Sequence, residues 1–274
     1  MSTLRVTDRT LDSFALLGAQ VSFASRVLRA IPVAATGYRH ETARVLMDIA
    51  WGTGALLVGG GTVGIVVLLS LSAGTSLGIE GFNGLEIIGL SPLTGFVSAV
   101  VNTRELAPLI AALALGAQVG CRFTAQIGSM RVHEEIDALE SMAISPIEYV
   151  VATRVLATMI AILPLYLVGL VGSYIATELS VTLLFDQPAG TFSHYFETFV
   201  RMGDIFLSIV KIMAFTFAIA MIHTWYGFTV TGGPEAVGEA TGRAIRASIV
   251  TIVLLDMVMT LLFWGGSSGV RISG

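Results

Sequence analysis

Four acids, Glu134, Glu135, Asp137 and Glu140, fall within seven residues of one polar segment, residues 128–148 (GSMRVHEEIDALESMAISPIE). At the helical period Val132, Ile136, Leu139 and Ala143 form an apolar stripe. Glu134, Asp137 and Ser141 point the opposite way, with Glu135 and Glu140 on the flanks. Ser145-Pro146 predicts the stop. A short acidic amphipathic helix is suited to docking into a groove of another protein, where the stripe gives contact and the rim charges give specificity. A solvated loop whose acids merely keep it soluble fits the same residues equally well.

A second group of ionisable residues lies inside apolar runs: Arg104 and Glu105, Lys211, and Asp256. An unpaired ion at mid-bilayer costs from about 3 to more than 10 kcal/mol. These groups must pair, snorkel or line a wet cavity. Asp256 with Lys211 is one candidate pair; Arg104 with Glu105, or with a glutamate of another chain, is a second. Either a gate on a substrate path or an ion pair that orients two helices would use them. For Lys211 the orienting pair is the preferred role. Asp256 is the single carboxylate deep in a span, so a proton relay is not expected.

Other chemistry is not supported. The histidines (His40, His133, His194, His223) lie far apart without ligand spacing, and Cys121 is the lone cysteine, so no metal and no intrachain disulfide is expected. There is no G-x-x-x-x-G-K-[ST] phosphate loop; Gly59-Gly60-Gly61 is followed by no Lys-Ser/Thr. An intramembrane lipid enzyme would need a nucleophile beside a base. His223 with Thr224, and His133 with its neighbouring glutamates, are the best candidates and match no catalytic motif. A membrane assembly scaffold is a further alternative.

The elements that hold these residues follow from composition. Of 274 residues, 54% are hydrophobic and 12% charged. That is about half the charge usual for a soluble domain. The net charge of −4 argues against nucleic acid. Residues 1–10 are polar and the next apolar stretch is broken by Asp12, Arg26 and Arg29, so no signal peptide is expected. Residues 11–31 predict an amphipathic helix with Phe14, Leu16, Leu17, Val21, Phe23, Val27, Leu28 and Ile31 on one arc. Its basic polar face suits the headgroup region, with an ordinary helix packed on another subunit as the alternative, and Pro32 ends it. Five spans follow, at about 49–71, 87–121, 155–177, 205–226 and 247–266. Glycines 52, 54, 59, 60, 61 and 64 crowd the first, and Gly60 and Gly64 are candidate packing positions. In the second, Ala112, Gly116, Gly120, Thr124 and Gly128 recur every four residues, the small-xxx-small spacing of closely packed helices. Pro164 predicts a kink in the third.

Arginine placement sets the orientation. With the N-terminus inside, Arg26, Arg29, Arg39, Arg44, Arg122, Arg131, Arg154, Arg243 and Arg246 are all cytoplasmic, whereas the outer loops and tail hold Arg201 and Arg271. The fold expected is an all-α integral membrane protein: an N-terminal interfacial helix, five transmembrane helices, N-inside and C-outside, with a short cytoplasmic helix between spans two and three. Its parts are 1–48 (cytoplasmic N-terminus and interfacial helix), 49–266 (membrane domain) and 267–274 (extracytoplasmic tail).

The run from Arg104-Glu105-Leu106-Ala107-Pro108 through Gly120, Gly128-Ser129-Met130-Arg131-Val132 and Glu135-Ile136-Asp137-Ala138-Leu139 to Pro146 strongly resembles the MlaE/YrbE permease family. Thr231-Gly232-Gly233-Pro234-Glu235-Ala236-Val237-Gly238 is similar to the family's glycine-rich loop before the last span. The likeness covers most of residues 40–266. It implies the permease subunit of an ABC lipid transporter in the cytoplasmic (inner) membrane, working with MCE-domain proteins. The lipid would be a fatty acid, mycolic-type lipid, sterol or phospholipid, with import favoured. Partners implied are a second permease subunit (paralogue or identical), a cytoplasmic ABC ATPase dimer carrying ATP and Mg, and an extracytoplasmic MCE assembly. This chain would bind no cofactor itself. Arg131, His133, Glu134, Glu135, Ile136, Asp137, Ala138 and Leu139 would form the coupling helix, with Glu134, Glu135 and Asp137 as polar contacts and Ile136 and Leu139 as apolar ones. Val119-Gly120-Cys121-Arg122 and Gln118 depart from the family pattern, which implies a specialised subunit: the B-type partner of a YrbE heterodimer, as in actinobacterial MCE importers.

Overall fold

The structure, a computed structural model, describes residues 2–52 and 61–266. Gly60 and the tail 267–274 lie outside the described residues, as do the side chains of Phe14, Leu16 and Leu17. Among the described residues there are helices and no strands. In chain order they are α1 (Ser2–Thr36), α2 (Arg39–Trp51), α3 (Gly61–Glu86), α4 (Ser91–Val132), α5 (Glu135–Ser141), α6 (Ile147–Leu184), α7 (Ala189–Phe199), α8 (Met202–Phe228) and α9 (Pro234–Trp264). Five of them, α3, α4, α6, α8 and α9, are long and apolar enough to cross a membrane. The chain is a multi-pass membrane protein.

Helix α1 does not stop at Pro32. The proline removes one backbone donor, but the last turn is held by packing: Ala30 and Ala34 bury against Ala152 and Ile147. Thr36 Oγ1 donates to the Pro32 carbonyl at 2.9 Å. The predicted apolar arc divides. Phe23 and Val27 are buried, and Phe23 meets the Trp225 ring edge-on at 5.2 Å, whereas Val21 and Leu28 are exposed.

The first span is displaced from the predicted 49–71. Trp51 closes α2, and α3 continues through what composition marked as the loop 72–92, as far as Glu86. The cause is tertiary. Thr62, Val66, Ser70, Gly74, Gly78 and Phe82 form a buried stripe with a period of four. A Cβ on Gly74 would collide with the Ser173 carbonyl of α6, and one on Gly78 with the Ser180 hydroxyl. Thr177 Oγ1 donates to the Gly74 carbonyl at 2.9 Å. Packing this close holds a polar, glycine-rich stretch helical where hydropathy alone would end it.

The other spans are longer than predicted, because hydropathy finds the apolar middle and not the ends. Helix α4 runs unbroken past Pro108, with π-helical turns at Ser98–Leu106 and Gly116–Gly120. The wide turn just before Pro108 sits where the ring would otherwise clash with the preceding turn. Helix α9 starts at Pro234, a first-turn proline, and so takes in half of the predicted glycine-rich loop.

Candidate functional site: a short acidic helix and an intramembrane charge cluster

The predicted helix over 128–148 is two helices. Helix α4 continues to Val132, and Glu134 breaks it in the left-handed region at φ 61°. Helix α5 then runs from Glu135 to Ser141, and Ala143, at φ 59°, turns the chain toward α6. A 2.6 Å ion pair from Arg131 to Asp137 spans the break. His133 Nδ1 lies 2.8 Å from the Ser129 carbonyl.

The stripe faces inward. Ile136 is fully buried among Ile127, Val150, Met130, Leu139 and Phe228, so it is not available as an outward apolar contact. Leu139 packs on the same cluster, while Ala143 is exposed. The physical reason is that α5 is too short to be stable alone and must anchor on the chain's own core. What faces outward is acidic: Glu134, Glu135, Asp137 and Glu140, with Ala138, and with Met142 60% exposed at its end. The apolar share of any docking contact therefore falls to Met142 rather than Ile136.

The charged residues in the spans converge. Lys211 Nζ, fully buried, donates to the Arg104 carbonyl, Glu105 Oε2 and Thr260 Oγ1, each at 2.8 Å. Asp256 Oδ1 stands 2.7 Å from the same ammonium, held by charge, since the three donors are already directed elsewhere. Thr260 Oγ1 donates onward to Glu105 Oε1 at 2.8 Å. Glu105 thus pairs with Lys211 and not with Arg104. Arg104 pairs with Asp204, its Nη2 donating to Oδ2 at 2.8 Å. Trp264 Nε1 donates to the other oxygen of Asp204 at 2.8 Å, and the Trp264 ring lies 5.2 Å from the Arg104 guanidinium. Two cations and three carboxylates link α4, α8 and α9. Asp204 and Thr260 are partners that the sequence reading misses. The one available signal was an acid in the first turn of span four, too near its end to look costly.

The recurrent small residues of α4 lie against α8 and α9. A Cβ on Gly120 would come within 2.6 Å of the His223 ring, and one on Gly128 within 3.0 Å of Val237. Gly116 has only ordinary contacts, and Gly64 is half-buried on α3. His223 is itself buried between Thr124 Oγ1 at 2.9 Å and Ser248 Oγ at 3.3 Å, which makes it an interhelix bracket. Among the described residues no group of three His, Cys, Asp or Glu side chains could hold a metal ion.

Five apolar spans, an exposed acidic helix anchored on the span ends and a buried ionic knot define a polytopic membrane protein. The sequence profile described as Permease MlaE matches residues 52–262. The chain belongs to the MlaE permease family, a lipid-transport family of ABC transporter permeases. It is 31% identical over 216 residues to a probable ABC transporter permease protein of Synechocystis, covering 77% of this chain and 80% of that one. It is 28% identical over 213 residues to a probable ABC transporter permease protein of Rickettsia felis, covering 76% and 81%. It is 29% identical over 214 residues to the chloroplastic protein trigalactosyldiacylglycerol 1 of Arabidopsis thaliana, covering 75% of this chain and 59% of that protein's length.

Proposed function

We propose that this chain is one permease half of an ABC lipid transporter and takes mechanical work from a partner ATPase through α5. The observation that carries this reading is the arrangement of α5: four acids outward and Ile136 inward, locked between the ends of α4 and α6. A push on the acidic face is transmitted to two spans at once, because a packed core moves as a unit rather than yielding. The arginine bias supports N-inside insertion in the inner membrane, which puts α5 in the cytosol.

The transported molecule is a hydrophobic lipid, delivered by an extracytoplasmic MCE assembly, moving inward. A second permease subunit completes the pathway, and the departures at Gln118 and Val119–Arg122 support a B-type YrbE chain paired with a paralogue. ATP and Mg sit on the ATPase. Glu105, Arg104, Lys211 and Asp256 fasten the far ends of α4, α8 and α9 while the α5 end moves. Alternating access then follows from nucleotide-driven displacement of one end of the bundle about the other.

Co-purification tests the reading. Glu135→Lys reverses a charge on the exposed face without touching the core, and should abolish recovery of the ATPase with the tagged permease while the circular dichroism stays helical. Asp137→Lys should do the same. Undiminished recovery in both variants would overturn the assignment of α5 as the docking element.

A further inference from the structure

We propose that the cavity between α2, α4 and α6, about 580 Å³, is a binding site for a phosphate-type anion built on Arg154. Arg44, Asp48, Gln126, Ser129 and Arg154 line it. Arg154 is 8% exposed, yet among the described residues it forms no ion pair. One guanidinium N–H donates to the Val150 carbonyl at 2.9 Å, and the group lies 5.8 Å from the Phe123 ring centre. Its Nε finds no acceptor.

A buried guanidinium without a counter-charge is costly, because desolvation is not repaid by a partner. The carboxylates nearby are committed elsewhere. Glu41 holds Arg44 at 2.6 Å, and Asp48 holds Arg122 at 3.2 Å. Glu135 lines an adjoining cavity that shares Arg44 and Arg154, and it too forms no ion pair with Arg154. The Nε of Arg122 is likewise without an acceptor. Arg44 and Arg122 are each held by a carboxylate, and Arg154, 8% exposed, is paired with none of the three acids nearby. A tetrahedral oxyanion matches the fork of a guanidinium and has oxygens to spare for Gln126 and Ser129. The phosphate could be the headgroup of a membrane phospholipid or a free phosphate; the chemistry recognised is the same.

The purified full chain in maltoside micelles, which contain no phosphate, separates the sources. One arm adds phosphatidylglycerol or diacylglycerol of the same acyl chains and measures lipid retained per chain. The other titrates inorganic phosphate calorimetrically. Retention of phosphatidylglycerol over diacylglycerol assigns a headgroup; heat from inorganic phosphate assigns the free anion. In either case Arg154→Gln should weaken binding about tenfold or more, the worth of a charge-assisted contact. Arg44→Gln changes a side chain that is 74% exposed and leaves folding intact, so it serves if Arg154→Gln does not fold, and it should weaken binding several-fold. Absence of binding to either probe by the wild type overturns the proposal, as does equal affinity in the variants.

Discussion

Lys211 is the single lysine of the chain and one of its most completely buried charges. Its ammonium has three donors, and each has an acceptor at 2.8 Å. Two carboxylates depend on it. Lys211→Met should therefore do more than delete a contact: Glu105 and Asp256 would face one another without a cation. The expected loss is about 3–5 kcal/mol, the cost of breaking a buried pair from one side. Thermal unfolding in micelles measures it, and a loss under about 1 kcal/mol would mean that the cluster does not hold the helices. Asp204→Asn keeps an acceptor for Trp264 and removes only the charge beside Arg104, so a smaller loss is expected on the same assay.

At the scale of elements, α3 and α6 approach along a seam where a Cβ would collide at Gly74, Gly78 and Gly169. Gly74 faces a backbone carbonyl, which cannot rotate away. Gly172, on the same helix pair, has only the tip of Leu71 at 3.8 Å. Gly74→Ala should cost about 1–3 kcal/mol, and Gly172→Ala should be neutral or stabilising through the better helix propensity of alanine. Equal effects in the two variants would show that the seam is looser than its geometry. Helix α5 offers the complementary case. Ile136→Ala removes its anchor, with a loss of about 2–5 kcal/mol. Because α5 is short, the effect should appear as local opening, read as faster amide exchange across residues 135–141 than in the spans.

For the whole molecule the two ends of the bundle have different characters. One end is tied by ion pairs and an indole hydrogen bond among α4, α8 and α9; the other carries α5 on a small apolar cluster. The proposed transmission of work through α5 rests on this difference, with Ile136 the most buried link between α5 and the spans. Ile136→Ala keeps all four acids and loosens only their attachment to the spans, so recovery of the ATPase should fall less than transport in reconstituted vesicles. Glu135→Lys should lose both. A variant at Ile136 with full transport would remove the residue from the transmission route.

Composition and period were enough to determine a five-span all-helical membrane protein, the acids of residues 134–140 and the intramembrane charges, because a bilayer demands some twenty apolar residues per crossing and penalises every ion inside it. Those demands are local and leave a trace in each segment alone. Of the pairings, Lys211 with Asp256 was legible; where α3 ends, why α1 passes Pro32, which way Ile136 points and what holds Arg104 and Glu105 were not. Arg104 finds Asp204 a hundred positions away and Glu105 turns to Lys211. Such pairings depend on the register between helices, and register is set by how glycines and alanines on one span fit the side chains of another, which no single segment records.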